Sequence, residues 1–221
     1  MIINILYFFR ISHVFFTIYG YKMSYLEFLG TLSNFISVYL LARGNILNWP
    51  IGNLGAILFL LLFYQLHLYS EMIQQLYFFI IGFYGWWMWL DFNKNTSPEE
   101  KSISMGYLSH SKNILYFSII LMSTMLMGYA MSHANSWFPQ FFLKPASFPY
   151  TDAFITSMSF VALMLMTHKK IEGWYLWIAI DLIAVSMYCL KGVMLMALLY
   201  MFLLIMVIKG ALYWRKQMFT A

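Results

Sequence analysis

A single carboxylate interrupts a long apolar stretch in the second half of the chain. Asp181 lies near the middle of a predicted helix. At about 100° per residue, one stripe roughly 60° wide contains Trp174, Trp177, Asp181 and Tyr188. Indole faces attract a flat cation at about 0.5–2 kcal/mol each, and a carboxylate supplies the counter-charge. The stripe therefore predicts a binding site for a positively charged aromatic ring.

A structural role for the same residues is the alternative. A carboxylate inside a membrane span costs about 2.5–3.5 kcal/mol on insertion scales, so Asp181 must face the protein interior and have a partner. Lys191 and Lys209 are possible partners near span ends. Trp174 and Trp177 would then belong to the aromatic belts at the lipid–water interfaces.

Amide side chains in other predicted spans are further candidates. Asn53, Gln65 and Gln75 can bond a ligand's hydroxyls, or can hold two helices together at about 0.6 kcal/mol each. With Trp49 they complete the predicted set of substrate-binding residues. That set is Trp49, Asn53, Gln65, Gln75, Trp174, Trp177, Asp181 and Tyr188.

Motifs of enzyme chemistry are missing from the sequence. It contains no His-Glu-x-x-His, no Gly-x-Ser-x-Gly, no Gly-rich phosphate loop and no Cys/His metal spacing. The five histidines lie singly, mostly at predicted span ends or in loops. Cys189 is the one cysteine, which excludes a disulfide scaffold. We therefore expect no catalytic residue, no metal and no cofactor.

The composition places these residues in a membrane protein. The chain has 221 residues, of which 62% are hydrophobic and 10% charged, whereas soluble domains carry about 25% charged residues. Seven spans of about 20 residues would account for the apolar residues. The net charge is +5, but no soluble segment is large enough for a nucleic-acid module. The expected surroundings are a lipid bilayer, with no nucleic-acid partner.

Hydropathy divides the chain into seven predicted helices. They cover residues 25–42, 50–68, 71–90, 113–131, 152–167, 174–190 and 193–213. The predicted domains are an N-terminal extension (1–24) that could form an interfacial helix, a first three-helix repeat (25–92), a section with cytoplasmic loop, linker helix and outer loop (93–151), a second three-helix repeat (152–215) and a cytoplasmic tail (216–221).

The basic residues predict the orientation of these spans. Seven spans put the two termini on opposite sides of the membrane. With the C-terminus in the cytoplasm, nine of the 13 Lys and Arg residues lie inside and four outside. Membrane proteins concentrate Lys and Arg in their cytoplasmic loops. The sequence therefore predicts a multi-pass protein with a cytoplasmic C-terminus.

The two predicted three-helix units are similar in sequence when the chain is shifted by 125 residues. The informative matches are Trp49 with Trp174, Gly85 with Gly210 and Trp89 with Trp214. Interfacial belts alone could also place tryptophans near span ends. A constant spacing favours internal duplication. Because one helix links the units, both enter the membrane from the same side, which is a parallel repeat typical of transporters.

Several motifs together resemble the Pnu family of bacterial vitamin transporters. They are Trp49-Pro-Ile-Gly, Phe63-Tyr-Gln-x-x-Leu-Tyr69, Tyr84-Gly-Trp-x-x-Trp89 and Glu172-x-Trp-x-x-Trp-x-x-x-Asp181. The resemblance runs from about Tyr25 to Trp214. It implies an all-α membrane fold of seven helices in a 3+1+3 repeat similar to SWEET transporters, a homotrimer in the bacterial inner membrane, and facilitated diffusion made one-way by phosphorylation of the substrate in the cytoplasm.

The resemblance also suggests a substrate. Gln65, Gln75, Trp174 and Trp177 match family positions near the substrate, and import of nicotinamide riboside for NAD synthesis is the expected function. Asp181 stands where the riboside carriers tend to have asparagine, and thiamine-transporting relatives resemble residues 181–192. A thiamine transporter is therefore the alternative within the family. A non-transporting or enzymatic membrane subunit is the alternative from another class.

Overall fold

The computed structural model describes residues 12–18, 20–65, 69–95, 105–140, 148–190 and 194–220. In these residues a hairpin, β1 (Val14–Ile18) and β2 (Tyr21–Ser24), precedes seven helices. The helices are α1 (Tyr25–Ala42), α2 (Asn48–Gln65), α3 (Tyr69–Asn95), α4 (His110–Trp137), α5 (Pro149–Thr167), α6 (Glu172–Leu190) and α7 (Met194–Thr220). The seven predicted helices are confirmed in the described residues, and α3, α4 and α7 extend beyond their predicted ends. The predicted end of the second helix, residues 66–68, lies outside the described residues.

The described part of the N-terminal extension forms a β-hairpin and not an interfacial helix, and residues 1–11 of the extension lie outside the described residues. β1 pairs with β2 in antiparallel register. The segment Val14–Ile18 consists of β-branched and aromatic residues, which favour strands. Gly20 adopts a φ of 84° in the connection, a conformation that costs glycine little. Ser24 then caps α1 by accepting a hydrogen bond from the Glu27 amide at 3.2 Å.

Four helical segments are long and apolar enough to cross a membrane, judged by length and composition over the described residues. They are α1, α4, α5 and the Ala197–Phe219 part of α7. The share of each apolar window that is buried inside the protein is 22% in α1, 17% in α4, 50% in α5 and 28% in α7. The architecture is therefore that of a helical membrane protein with one short hairpin.

The first compact unit comprises residues 1–103. In its described part α2 packs against both α1 and α3. Gly52 and Gly55 let α2 approach α1 closely, since a Cβ at Gly52 would lie 2.8 Å from the Ser37 hydroxyl. That hydroxyl donates to the Asn48 carbonyl at 2.9 Å. α2 is thus the central helix of this unit.

The second compact unit comprises residues 104–221. Its helices pack in chain order, α4 on α5, α5 on α6 and α6 on α7. The helix predicted as a linker, α4, contributes Ile120 to a buried core that contains mostly α5 side chains and Ile180 of α6. The linker helix therefore packs as part of the second unit.

The segment before α4 is tied to the connection between α5 and α6. The Gly106 amide donates to the Lys169 carbonyl and the Ile171 amide donates to the Gly106 carbonyl, both at 3.2 Å. The Leu108 amide donates to Glu172 Oε1 at 2.8 Å. Lys169 adopts a φ of 54° in this turn, and burial lowers the pKa of its ammonium group to about 8. These contacts fix the segment before α4 against the connection between α5 and α6.

Candidate functional site

The predicted site residues are concentrated on the central helix of each three-helix set. α2 carries Trp49, Asn53 and Gln65, and α3 carries Gln75. α6, which packs against α5 and α7, carries Trp174, Trp177, Asp181 and Tyr188. Four candidates thus lie in the first unit and four in the second.

Trp49 belongs to a tightly packed cluster in the first unit, which we call the first tryptophan cluster (Trp49, Gly85 and Trp89). The rings of Trp49 and Trp89 meet edge to face, with centroids 5.4 Å apart and an interplanar angle of 88°. A Cβ at Gly85 would lie 2.5 Å from Trp49 Cη2, so only glycine leaves room for the indole. The cluster therefore fixes α2 against α3.

Trp174 occupies the matching position in the second unit, in a second tryptophan cluster (Trp174, Gly210 and Trp214). The two rings again meet edge to face, at 5.6 Å and 84°. A Cβ at Gly210 would lie 2.7 Å from Trp174 Cη2. Edge-to-face pairs of this kind contribute about 0.5–1.5 kcal/mol beyond burial. The residues that the 125-residue shift aligns therefore form the same arrangement in each unit.

The two clusters limit what Trp49 and Trp174 can offer a ligand. Trp174 has no exposed surface and Trp49 is 3% exposed. In both rings the buried Nε1–H has no hydrogen-bond acceptor among the described residues. A buried donor without an acceptor costs about 1–3 kcal/mol. In this conformation the indole faces are covered by protein. The Nε1–H of each ring is the polar group that is free to donate a hydrogen bond.

Asp181 is the buried carboxylate of the second unit. It is 3% exposed, and its Oδ2 atom has no hydrogen-bond partner among the described residues. It also makes no ion pair there, so the pairing with Lys209 considered above does not occur, whereas the side chain of Lys191 lies outside the described residues. A desolvated carboxylate without a cationic partner is costly, which favours a functional role.

The remaining candidates of the second unit flank this carboxylate on α6. Trp177 is partly buried and packs against the core that contains Ile120 and Ile180. Its position therefore differs from that of Trp174, which packs against α7. The side chain of Tyr188 lies outside the described residues. Two residues of the predicted stripe on α6 therefore contact different neighbours: Trp174 packs against α7, and Trp177 packs against the core formed with α4 and α5.

The amides of the first unit differ in how well they are satisfied. Asn53 is buried, and its Nδ2 atom has no acceptor among the described residues. Gln65 is half-buried and donates through Nε2 to the Leu61 carbonyl at 3.3 Å. Gln75 is half-buried on α3. Asn53 is therefore a buried amide with a donor that the described residues do not use.

Sequence reasoning missed the partner of Asn53. The Asn53 amide lies against Gly82 of α3, in the space that a side chain at that position would fill. No spacing rule pairs these two positions, because they lie on different helices. Trp89 and Trp214 were not proposed as site residues either, although the repeat had already aligned them. Over the described residues, no three His, Cys, Asp or Glu side chains are grouped to hold a metal ion.

Comparison with known proteins gives a consistent result. The model of a family described as nicotinamide mononucleotide transporter matches residues 24–216. Two similar proteins, each called nicotinamide riboside transporter PnuC, come from Escherichia coli (strain K12) and Shigella flexneri. Each is 28% identical over 210 residues, covering 88% of this chain and 87% of the relative. The crystal structure of the vitamin B3 transporter PnuC is similar in fold, with a TM-score of 0.64, 21% identity, and coverage of 88% of this chain and 82% of that one.

Proposed function

The chain belongs to the nicotinamide mononucleotide transporter family, and from this membership we propose that it imports nicotinamide riboside by facilitated diffusion. The relatives are transporters, so the chain is a transporter and not an enzyme. Together with its apolar helices, this makes it a multi-pass protein of the bacterial inner membrane. Imported riboside would supply NAD synthesis.

The observation that carries the proposed substrate is the buried carboxylate of Asp181, which has no cationic partner among the described residues. The nicotinamide ring of the riboside is a flat pyridinium cation, so it supplies a positive counter-charge for the Asp181 carboxylate. Trp177 on the preceding turn offers a partly buried indole for stacking. Binding of the cation would thus remove the cost of a desolvated carboxylate.

Charge also favours the riboside over the mononucleotide that the family description names. The phosphate of the mononucleotide carries about −1.5 to −2 charges at neutral pH, by analogy with phosphorylated side chains. α6, which carries Asp181, contains no Lys or Arg to bind it. Near Asp181 the phosphate would add like-charge repulsion. The thiamine alternative is not favoured, because the family model and the relatives name nicotinamide compounds.

We also propose that the fold is a 3+1+3 parallel repeat similar to SWEET transporters. Two observations support it. The helices α1, α2 and α3 contain 18, 18 and 27 residues, and α5, α6 and α7 contain 19, 19 and 27. The two tryptophan clusters occupy matching positions on these helices. The homotrimer implied by the resemblance stays a prediction.

The cytoplasmic C-terminus is a proposal that a fusion tests. Alkaline phosphatase fused after residue 221 is expected to be inactive, because it stays in the cytoplasm, and a GFP fusion at the same position is expected to fluoresce. The basis is the distribution of basic residues, nine inside against four outside. An active phosphatase with a dark GFP would reverse the proposed topology.

Binding and transport assays test the proposed substrate directly. Nicotinamide riboside added to the purified protein is expected to quench tryptophan fluorescence saturably, with weaker or no quenching by thiamine and by nicotinamide mononucleotide. In liposomes the riboside should pass down its gradient and be recovered chemically unchanged. Tight thiamine binding without riboside binding would replace the substrate, and recovery of an altered compound would indicate an enzyme.

A further inference from the structure

Gly82 of α3 and Asn53 of α2 form a close contact between these two helices. A Cβ built on Gly82 would lie 1.9 Å from Asn53 Oδ1, 2.9 Å from Cγ and 3.3 Å from Nδ2. Real Cβ atoms do not approach oxygen to 1.9 Å. The Asn53 amide therefore occupies the space that any side chain at position 82 would need.

The contact orients the amide. The amide oxygen of Asn53 lies close to the Cα hydrogen of Gly82 that a Cβ would replace. This is the geometry of a weak Cα–H···O interaction with α3. The nitrogen lies farther from Gly82 than the oxygen does. Nδ2 is buried, and it has no acceptor among the described residues. The side chain thus carries two N–H donors that the described fold does not use.

We propose that Gly82 is a positioning residue for substrate binding, and that it holds the Asn53 amide so that Nδ2 donates a hydrogen bond to an oxygen of the substrate. This inference rests on the proposed function, because the molecule that accepts the hydrogen bond is the riboside proposed as the substrate. An uncharged N–H suits a hydroxyl or carboxamide oxygen, both of which nicotinamide riboside carries. The donor serves recognition of the neutral part of the substrate.

A methyl group at position 82 removes this arrangement without touching the substrate itself. Alanine would push the amide oxygen away from α3 and swing Nδ2 out of its position. Loss of one hydrogen bond to an uncharged group corresponds to about a three- to tenfold weaker affinity. Asn53→Ala removes the same donor directly and is expected to have the same effect.

A double-mutant cycle tests the proposal by fluorescence titration of the full-length protein with nicotinamide riboside. Gly82→Ala and Asn53→Ala are each expected to raise Kd about three- to tenfold. The double variant is expected to match Asn53→Ala, because Gly82 acts only through the amide. Gly30→Ala is the matched control, since its Cβ would meet Phe59 at an ordinary 3.4 Å, and its Kd should equal that of the wild type.

The outcomes separate this inference from the proposed function. If the wild type does not bind the riboside, the proposed function fails and the inference fails with it. If the wild type binds and Asn53→Ala binds equally well, only the inference fails. If the two single-variant increases in Kd multiply in the double variant, Gly82 acts independently of Asn53 and the inference also fails. Should Gly82→Ala not fold, as judged by gel filtration, Asn53→Ala alone decides whether the donor is used.

Discussion

Replacing Asp181 by asparagine is expected to weaken the binding of nicotinamide riboside about ten- to hundredfold. The change keeps the shape of the side chain and removes its charge. Two unit charges 4 Å apart attract by about 4 kcal/mol at an effective dielectric constant near 20. Part of that attraction offsets the loss of water around the substrate cation, and the expected range corresponds to about 1.4–2.8 kcal/mol. Fluorescence titration and uptake into liposomes both measure it.

The same substitution should leave the protein as stable as before or more stable. Asp181 is buried and has no cationic partner among the described residues, so an uncharged amide is easier to bury in the substrate-free protein. Affinity and stability should therefore change in opposite directions. A purely structural role for the carboxylate predicts that both decrease together.

Asp152→Asn is the matched control for this experiment. Asp152 lies in the first turn of α5 in the same unit and is exposed to solvent. Its neutralisation changes the net charge equally but should alter riboside affinity by less than twofold, because exposed charges interact weakly. Equal losses in the two variants would assign the effect to the overall charge. Unchanged uptake by Asp181→Asn would remove this carboxylate from substrate binding.

Alanine in place of Gly85 or Gly210 is expected to destabilise the protein by about 1–3 kcal/mol in each case. The new methyl group would lie 2.5 Å from the Trp49 ring or 2.7 Å from the Trp174 ring. Neither indole can move freely, since each is buried against a second tryptophan. Both variants should unfold at lower temperature in detergent, as followed by thermal denaturation.

Equivalent effects at the two positions would support the internal repeat. Gly30→Ala should leave the unfolding temperature nearly unchanged, because its Cβ meets only ordinary contacts. A smaller ring should restore stability, so Gly210→Ala combined with Trp174→Phe is expected to be more stable than Gly210→Ala alone. If either glycine tolerates alanine at no cost, the cluster around it is not the rigid contact described above.

The helices were predictable from sequence because each is a long apolar stretch, and hydropathy located all seven to within a few residues at most ends. The largest errors lie where polar residues continue a helix, at the ends of α3, α4 and α7. The hairpin of Val14–Ser24 was missed for the opposite reason. Its residues are as apolar as those of a helix, and hydropathy alone does not distinguish the two.

The candidate site was predictable in part. Burial of Asp181 followed from its place in an apolar helix, and the repeat identified Trp49 and Trp174 as equivalent. The stripe on α6 did not predict that Trp174 would pack against Trp214 of α7. Angles on one helix give the direction of a side chain, but the neighbour that covers it depends on packing between helices. The contact of Asn53 with Gly82 was unpredictable for the same reason.

The packing order of the helices has a consequence for the biogenesis of the protein. In the described residues of each unit, helices contact those that precede or follow them directly in the chain. A helix leaving the ribosome therefore finds its packing partner already inserted, and few loops of long sequence separation must close. The first unit can complete its internal contacts before α4 is synthesised. Such a chain is suited to assembly in the membrane during translation, one helix at a time.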